Sequence, residues 1–185
     1  RPVTLVQQAV YGNLTDHAMY ANRRVRSVAQ YELYDEGRAG WESGLRYSDS
    51  PAPAAAYLDV LRPQLGGVDP ASLRGLPKPA YAAYRLAIAV SSADAGQASV
   101  FGLDRRLAQG GALLVQASIS GLWMPVATIG TDALGYGEAL IAADTAGMAR
   151  AYRLCSGGQI VSRCVAANPA DCAVPDPTGC DGGAR

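Results

Sequence analysis

Four cysteines near the carboxyl end are the residues whose types and spacing have the clearest chemical meaning. Cys155, Cys164, Cys172 and Cys180 are the only cysteines of the chain, with eight, seven and seven residues between them. Structural zinc sites usually draw two thiolates from one tight turn, about two to four residues apart. The only histidine, His17, lies near the opposite end. The even count, in a segment rich in Gly, Pro, Asn and Asp, instead predicts two disulfides and an oxidising compartment.

Three disulfide connectivities are possible for four cysteines. The sequence favours Cys155–Cys164, because the residues between them are typical of a hairpin with two glycines at its turn. Cys172 would then pair with Cys180. Each such bond stabilises a fold by roughly 2–4 kcal/mol, mainly by restricting the unfolded chain.

A nucleophilic hydrolase would have to take its general base from His17. That residue belongs to the apolar stripe of a predicted helix, where a packed histidine is the commoner outcome. Ser118 and Ser120 resemble a nucleophile elbow only loosely, because the G-x-S-x-G pattern is not met and the flanking residues are typical of a strand. The sequence therefore predicts no catalytic residues.

Carboxylate pairs occur in two places, Glu32 with Asp35 or Glu36, and Asp132 with Glu138. A glycosidase requires two carboxyl groups about 5–10 Å apart across a cleft. The first set falls on a helix face that is expected to face water. Neither pair is assigned a catalytic role, and the protein is not predicted to be an enzyme.

Metal and cofactor motifs are weak. Asp171, Asp176 and Asp181 could hold Ca²⁺, but they do not follow an EF-hand pattern, and acidic loops usually face water. Gly110–Gly111 and Gly157–Gly158 lack the lysine and the spacing of phosphate-binding loops. We therefore predict no metal site and no cofactor.

Charge argues against nucleic acid and anionic membranes as partners. Sixteen basic and sixteen acidic residues cancel, and Lys78 is the only lysine among them. The densest basic segment, Arg23 to Arg26, is followed directly by acidic residues, which favours pairing within the chain. The sequence has no run of 18 apolar residues that could span a membrane.

A long amphipathic helix is predicted at the amino-terminal end. Apolar residues recur there at steps of three, four or seven. The pattern predicts a helix over residues 2–36 whose packing face or subunit interface consists of Val3, Val6, Val10, Leu14, Val25 and Val28. Gly37, Gly40 and Gly44 follow, and they favour a fraying helix end over a small-residue packing patch.

A turn-rich connector over residues 48–80 separates this helix from a predicted sheet. The connector holds one short helix, which Pro63 ends or kinks. Between residues 84 and 142, five short runs with alternating or apolar character predict antiparallel strands. Two further runs, Tyr152 to Cys155 and Gln159 to Cys164, predict an edge hairpin.

These elements predict the α+β class, with a long N-terminal helix packed on an antiparallel sheet and a C-terminal tail closed by disulfides. Residues 1–150 are expected to form one domain. Residues 151–185 are expected to form a separate disulfide-rich region.

The order of elements resembles the soluble part of type IV pilin-like proteins. The residues from Ala29 to Leu45, with Glu36 followed by Gly37, resemble a passage of minor pilins in which an acidic residue and a glycine interrupt the first helix. The resemblance implies an assembly subunit of a bacterial surface filament, a minor pilin or pseudopilin that contacts other pilin-like subunits. It also implies an apolar anchor segment preceding Arg1, and an extracellular or cell-surface location, with the periplasm as the alternative.

Two other functions stay open from the sequence. One is a secreted hydrolase or small-ligand binding module that uses a sheet face near Trp123 and Tyr136. The other is a structural subunit of a phage or virion, for which an α+β domain without a catalytic set is equally natural.

Overall fold

A computed structural model describes residues 3–30, 32–38, 43–107, 110–158, 160–173 and 180. The chain divides into two compact units, residues 1–84 and residues 85–185. The helices lie mainly in the first unit, and the antiparallel sheets lie in the second. The predicted α+β class is therefore confirmed.

The N-terminal helix, α1, is shorter than predicted and spans Leu5–Ala21. A capping box starts it, because the Thr4 side chain accepts from the Gln7 N–H at 3.1 Å and the Gln7 side chain accepts from the Thr4 N–H at 2.9 Å. The helix ends where Asn22 turns extended and its side chain accepts from the Arg24 N–H at 3.1 Å. This local bond competes with further helical turns. The prediction of a helix over 2–36 is wrong.

The buried face of α1 also differs from the prediction. Its fully buried residues are Ala9, Asn13 and Asp16. Asn13 Nδ2 donates to the backbone carbonyl of Ala83 at 2.8 Å, which ties the helix to α3, Pro79–Arg85. The predicted packing residues are exposed or only half-buried in the structure: Val3, Val6, Val10, Leu14, Val25 and Val28. As a packing face within the chain, this prediction is wrong; as a subunit interface it stays a prediction.

The connector contains the predicted short helix. Helix α2 spans Ala55–Leu61 and continues into a 3₁₀ turn, Arg62–Gln64, at Pro63. Because proline has no N–H and clashes with the preceding turn, the α-helical pattern ends there. A second 3₁₀ turn, Pro70–Leu73, follows. Two small apolar clusters hold the first unit together: Ala9, Leu45, Ala80 and Ala83, and Tyr47, Tyr57 and Leu61.

Gly44 lies at a close approach of two backbone segments, not at a helix end. Tyr34 and Arg46 form an isolated parallel bridge. A Cβ on Gly44 would lie 2.4 Å from the backbone nitrogen of Asp35, so only glycine fits without moving the backbone. Gly40, the other residue of the predicted patch, lies outside the described residues.

The second unit contains two antiparallel sheets and a short helix. The strands are β1 Leu86–Ser92, β2 Ala98–Asp104, β3 Gly111–Ile119, β4 Leu122–Thr131, β5 Tyr136–Ile141, β6 Ala151–Ser156, β7 Ile160–Val161 and β8 Val165–Ala166, with α4 at Ala143–Met148. The five strands predicted between residues 84 and 142 correspond to β1 to β5. One sheet has the order β1-β2-β5 and the other β4-β3-β6-β7, with β8 also pairing with β6.

The inner faces of these two sheets form the main core. Ile88 and Val100 of the first sheet, and Leu113, Val115 and Leu154 of the second, belong to one apolar cluster and have no exposed surface. Successive side chains of a strand point to opposite faces, so the alternation in the sequence places these residues inside.

Strands β6 and β7 form the predicted hairpin, and β6 itself lies in the middle of its sheet. It pairs with β3 on one side and with β7 and β8 on the other. The predicted turn between β6 and β7 does form, and Gly157 and Gly158 have φ values of 60° and 74° there. Because β6 is integral to the sheet, the unit boundary lies at residue 84 and the predicted boundary at 150 is wrong.

The disulfides join Cys155 to Cys180 and Cys164 to Cys172, with Cα–Cα distances of 5.4 Å and 5.7 Å. The favoured pairing of Cys155 with Cys164 is wrong because of the hairpin register. Cys155 lies opposite Val161. Cys164 is three residues further on, roughly 10 Å along an extended chain, which exceeds the usual disulfide span. Both bonds indicate an oxidising, non-cytoplasmic compartment.

Candidate functional site

A cavity of about 360 Å³ lies in the first unit. The rings of Tyr47 and Tyr57 line it, together with Pro51, Pro53 and Pro70. Both tyrosines are buried, with 7% and 5% of their surface exposed. This volume lies in the range of about 300–1,000 Å³ that is typical of small-molecule pockets.

A buried polar network fixes the tyrosine wall of this cavity. Lys78 Nζ lies 2.5 Å from Asp35 Oδ1, and the two side chains are 3% and 1% exposed. The Tyr57 hydroxyl donates to Asp35 Oδ2 at 3.0 Å and accepts from the Ser48 N–H at 3.2 Å. Because its hydroxyl is held on two sides, Tyr57 cannot rotate without breaking buried hydrogen bonds.

Tyr47 is a neutral hydrogen-bonding group in this wall. Burial, and then the negative charge of Asp35, raise the pKa of its hydroxyl above the usual value near 10. The Lys78 ammonium lies 6.0 Å from the centre of its ring, within range of a cation–π contact. Tyr47 therefore stays protonated at neutral pH.

Two arginines give the lining of the cavity a positive charge. Arg62 pairs with Asp59 at 3.8 Å, but the side chains are 60% and 72% exposed, so the pair is weak. Arg74 also lines the cavity, and among the described residues it makes no ion pair. The one acidic lining residue, Asp69, uses Oδ1 to accept from the Ala71 N–H at 3.0 Å.

A second candidate surface lies on α1, where large apolar side chains are exposed although two polar side chains are buried. Val6 and Leu14 are 67% and 47% exposed, whereas Asn13 and Asp16 are 1% and 7% exposed. We call Val3, Val6, Val10 and Leu14 the outer stripe. Val6, Val10 and Leu14 follow one another at steps of four positions, Val3 precedes the helix, and Tyr11, Met19 and Tyr20 are further exposed residues of α1 on its other sides.

His17, Ser118 and Ser120, which the sequence did not favour as catalytic residues, belong to a helix, a strand and a turn. His17 is half-buried on α1. Ser118 is buried in β3, and Ser120 and Gly121 form the two-residue turn to β4 with φ values of 52° and 78°. Two successive positive φ values are typical of a type I′ hairpin turn rather than of a nucleophile elbow.

The predicted carboxylate pairs do not converge. Asp35 pairs with Lys78, whereas Glu32 accepts from the Ser43 hydroxyl at 3.0 Å. Asp132 Oδ1 accepts from the N–H groups of Leu134 and Tyr136, both at 2.9 Å, and so fixes the turn between β4 and β5. Glu138 accepts a hydrogen bond from the Ser99 hydroxyl.

Trp123 and Tyr136 lie in different sheets, so the predicted ligand-binding face that they share does not exist. Tyr136 packs near Phe101, on the outer side of the three-stranded sheet. Trp123 lies on the outer side of the other sheet, where the Arg153 guanidinium is 4.3 Å from its ring centre. Arg153 Nε also donates to Gln116 Oε1 at 2.7 Å.

Asp104 joins the two sheets at one end of the second unit. This fully buried carboxylate accepts from Arg106 N at 2.9 Å, from Arg106 Nε at 2.8 Å, and from the Ser156 hydroxyl of β6. Burial alone would raise the pKa of Asp104, but the hydrogen bonds from Arg106 and Ser156 outweigh it and lower the pKa. The ionised form is therefore the one that stabilises the fold.

We expect Asp104→Asn to remove part of the acid sensitivity of the protein. A carboxyl group with a lowered folded-state pKa contributes stability above its unfolded pKa, near 4, and loses it as the pH falls through the folded pKa. The variant should lose about 2 kcal/mol at pH 7 and less at pH 3, measured by urea unfolding. The control is Asp94→Asn, an exposed carboxylate. An equal loss at both pH values would contradict the assignment.

Metal ligands and membrane helices are not found among the described residues. No group of three His, Cys, Asp or Glu side chains there could hold a metal ion. Asp171 lies in the 3₁₀ turn Pro169–Cys172, whereas Asp176 and Asp181 lie outside the described residues. Within that part of the chain, no helix is long and apolar enough to cross a membrane.

Comparison with protein-family models, with curated proteins and with solved structures found no match for this chain. The cavity and the outer stripe of α1 are therefore the two candidate functional sites among the described residues.

The sequence analysis missed the network of Asp35, Tyr57 and Lys78, because it placed Asp35 on a solvated helix face. One signal could have pointed to it. Fifteen of the sixteen basic residues are arginine and one is lysine. A single exception of this kind indicates a specific structural role for Lys78.

Proposed function

We propose that the protein is an assembly subunit of an extracellular or cell-surface structure, in which neighbouring subunits cover the outer stripe of α1. The observation that carries the proposal is the exposure of large apolar side chains along α1, Val6 and Leu14 among them. Exposed apolar residues grouped along one helix are typical of a protein interaction site.

The energetics agree with a weak, repeated contact. Covering the exposed parts of Val3, Val6 and Leu14 contributes about 1 kcal/mol each, before the costs of association. One such helix contact gives modest affinity, and a filament gains strength from many of them. A surface filament of the minor pilin or pseudopilin kind fits this pattern, and the disulfides suit its exposure outside the cytoplasm.

The stripe makes a direct test possible with the purified protein. We expect concentration-dependent association in sedimentation equilibrium, with a Kd near or below about 1 mM. The double variant Val6→Asp/Leu14→Asp should sediment as a monomer over the same range, because charges in the contact are costly to desolvate. Its helix content should match the wild type in circular dichroism, since both positions are exposed.

Thr15→Asp/Ala18→Asp is the matched control, since it adds the same two charges at exposed positions of α1 outside the outer stripe. It should leave association unchanged. A wild-type protein that stays monomeric throughout, or a control as disruptive as the double variant, would defeat the proposal. The filament version also requires an encoded apolar segment upstream of residue 1, and a gene without one would rule out the pilin kind.

A small-ligand binding module is the second candidate function. The cavity of the first unit favours it, because a buried network holds the Tyr57 side of the wall in place before any ligand binds. The carboxylate pairs described above give no comparable support to a hydrolase.

A further inference from the structure

We propose that the cavity of the first unit binds a small organic anion, with an apolar or aromatic body against Tyr47 and Tyr57 and a carboxylate or phosphate group at Arg62 and Arg74. This inference rests on the second candidate function and is independent of assembly through α1. Sedimentation reports on one proposal and ligand titration on the other.

The apolar body of the ligand is specified by the wall. Tyrosine rings and the rings of Pro51, Pro53 and Pro70 offer flat surfaces with little conformational entropy to lose on binding. Tyr57 is held by Asp35 and by the Ser48 N–H, so the cavity keeps its shape without a ligand. A preorganised wall of this kind favours a rigid ring over a flexible chain.

Hydrogen-bond donors dominate the polar part of the lining. The Ser48 hydroxyl oxygen accepts from the Ser50 N–H at 3.2 Å, and the Ser50 oxygen accepts from the Ala52 N–H at 3.3 Å. In both bonds the hydroxyl oxygen is the acceptor, so neither bond uses the hydroxyl proton. Tyr47 also lines the cavity, and burial and the charge of Asp35 raise the pKa of its hydroxyl, so it stays protonated at neutral pH.

The expected charge of the ligand follows from the positive charge of the lining that no acidic residue neutralises. Lys78 neutralises Asp35 behind the wall. The remaining charged lining residues are Arg62, which pairs only weakly with the exposed Asp59, Arg74, and Asp69, one oxygen of which is occupied by a backbone N–H. Guanidinium groups bind carboxylate and phosphate oxygens with two parallel hydrogen bonds, so an anion is the complementary ligand.

The test is isothermal titration of the full chain with phenyl phosphate and phenylacetate. Inorganic phosphate supplies the anion alone, and 2-phenylethanol supplies the ring alone. We expect both aromatic anions to bind saturably and at least tenfold more tightly than either half. A carboxylate ligand is indicated if phenylacetate binds more tightly, and a phosphate ligand if phenyl phosphate does.

Four variants distinguish binding in the cavity from non-specific binding to positive charge on the surface. Arg74→Gln should weaken phenyl phosphate about tenfold, and Arg62→Gln/Arg74→Gln should weaken it further. Arg23→Gln, which removes an exposed arginine outside the lining, should have no effect. Ala71→Trp keeps both arginines but fills lining space, and it should abolish binding.

Three results would overturn the proposal. The first is no saturable binding of either aromatic anion. The second is equal binding of 2-phenylethanol, and the third is binding that survives Ala71→Trp. Circular dichroism of each variant shows that the fold is intact before any titration is interpreted.

Discussion

Lys78→Met is expected to lower the free energy of unfolding by about 3–5 kcal/mol, because it leaves the Asp35 carboxylate buried without a counter-charge. The ammonium lies 2.5 Å from that carboxylate, and both side chains are almost completely shielded from water. Tyr57 depends on the same carboxylate for its own hydrogen bond. The measurement is urea unfolding followed by circular dichroism at a helix wavelength, because α1, α2 and α3 report mainly on the first unit.

The double variant Asp35→Asn/Lys78→Met distinguishes lost pairing from lost packing. It removes both charges, so it should lose clearly less stability than the sum of the two single variants. Arg74→Met is the matched control, a cation at an exposed position, and it should change stability by less than about 0.5 kcal/mol. A loss below about 1 kcal/mol for Lys78→Met would show that the pair is dispensable.

Removal of the Cys155–Cys180 bond should have the second large effect. A double alanine variant of this pair is expected to lose about 3–4 kcal/mol, against about 2–3 kcal/mol for Cys164 and Cys172, because a closed loop restricts the unfolded chain more as it lengthens. The separations are 25 and 8 residues. The ordering of the two losses, measured by urea unfolding under non-reducing conditions, is the main result.

Cys164–Cys172 lies between Cys155 and Cys180 in the sequence, and we call it the inner bond and Cys155–Cys180 the outer bond. The inner-bond variant is the matched control for the outer-bond variant, because both remove two sulfurs from the same region. Peptide mapping without reductant checks the connectivity independently. A peptide that links Cys155 to Cys164 would refute the structural pairing, and an inner-bond variant that is the less stable of the two would refute the ordering.

Local patterns predicted much of the fold. Proline at position 63 ended α2 where expected, and alternation of apolar residues predicted β1 to β5. Gly157 and Gly158 form the predicted turn. In each case the signal depends on residues within a few positions of one another, where dihedral and period preferences act directly.

The wrong predictions have a different physical origin. Each concerned either a local hydrogen bond that competes with helix formation or a contact between residues far apart in the sequence. The apolar stripe continued past Asn22, but the helix ends there, where Asn22 is extended and its side chain accepts from the Arg24 N–H. Hydrophobic periodicity cannot show which face is buried when an apolar stripe is left exposed. The pairing of Cys155 depended on hairpin register, which spacing alone does not reveal.

The cavity could not be predicted from the sequence either, because the residues that support its wall are far apart in the chain. Asp35 and Lys78 are 43 positions apart, and no local pattern around either residue points to the other. Only the fold of the connector brings them behind Tyr57. Long-range polar pairs of this kind carry no periodic signal, so composition, through the single lysine, was the one available hint.

The nesting of one disulfide inside the other has a consequence for how the protein matures. In a reduced chain, neighbouring cysteines along the sequence are eight or nine positions apart in every case. Their loops therefore close with nearly equal entropy cost, yet only Cys164–Cys172 is native. Rapid oxidation will trap incorrect partners before β6 and β7 pair. Correct maturation then depends on thiol–disulfide exchange, in which a free thiolate attacks a non-native bond until the native pairs have formed.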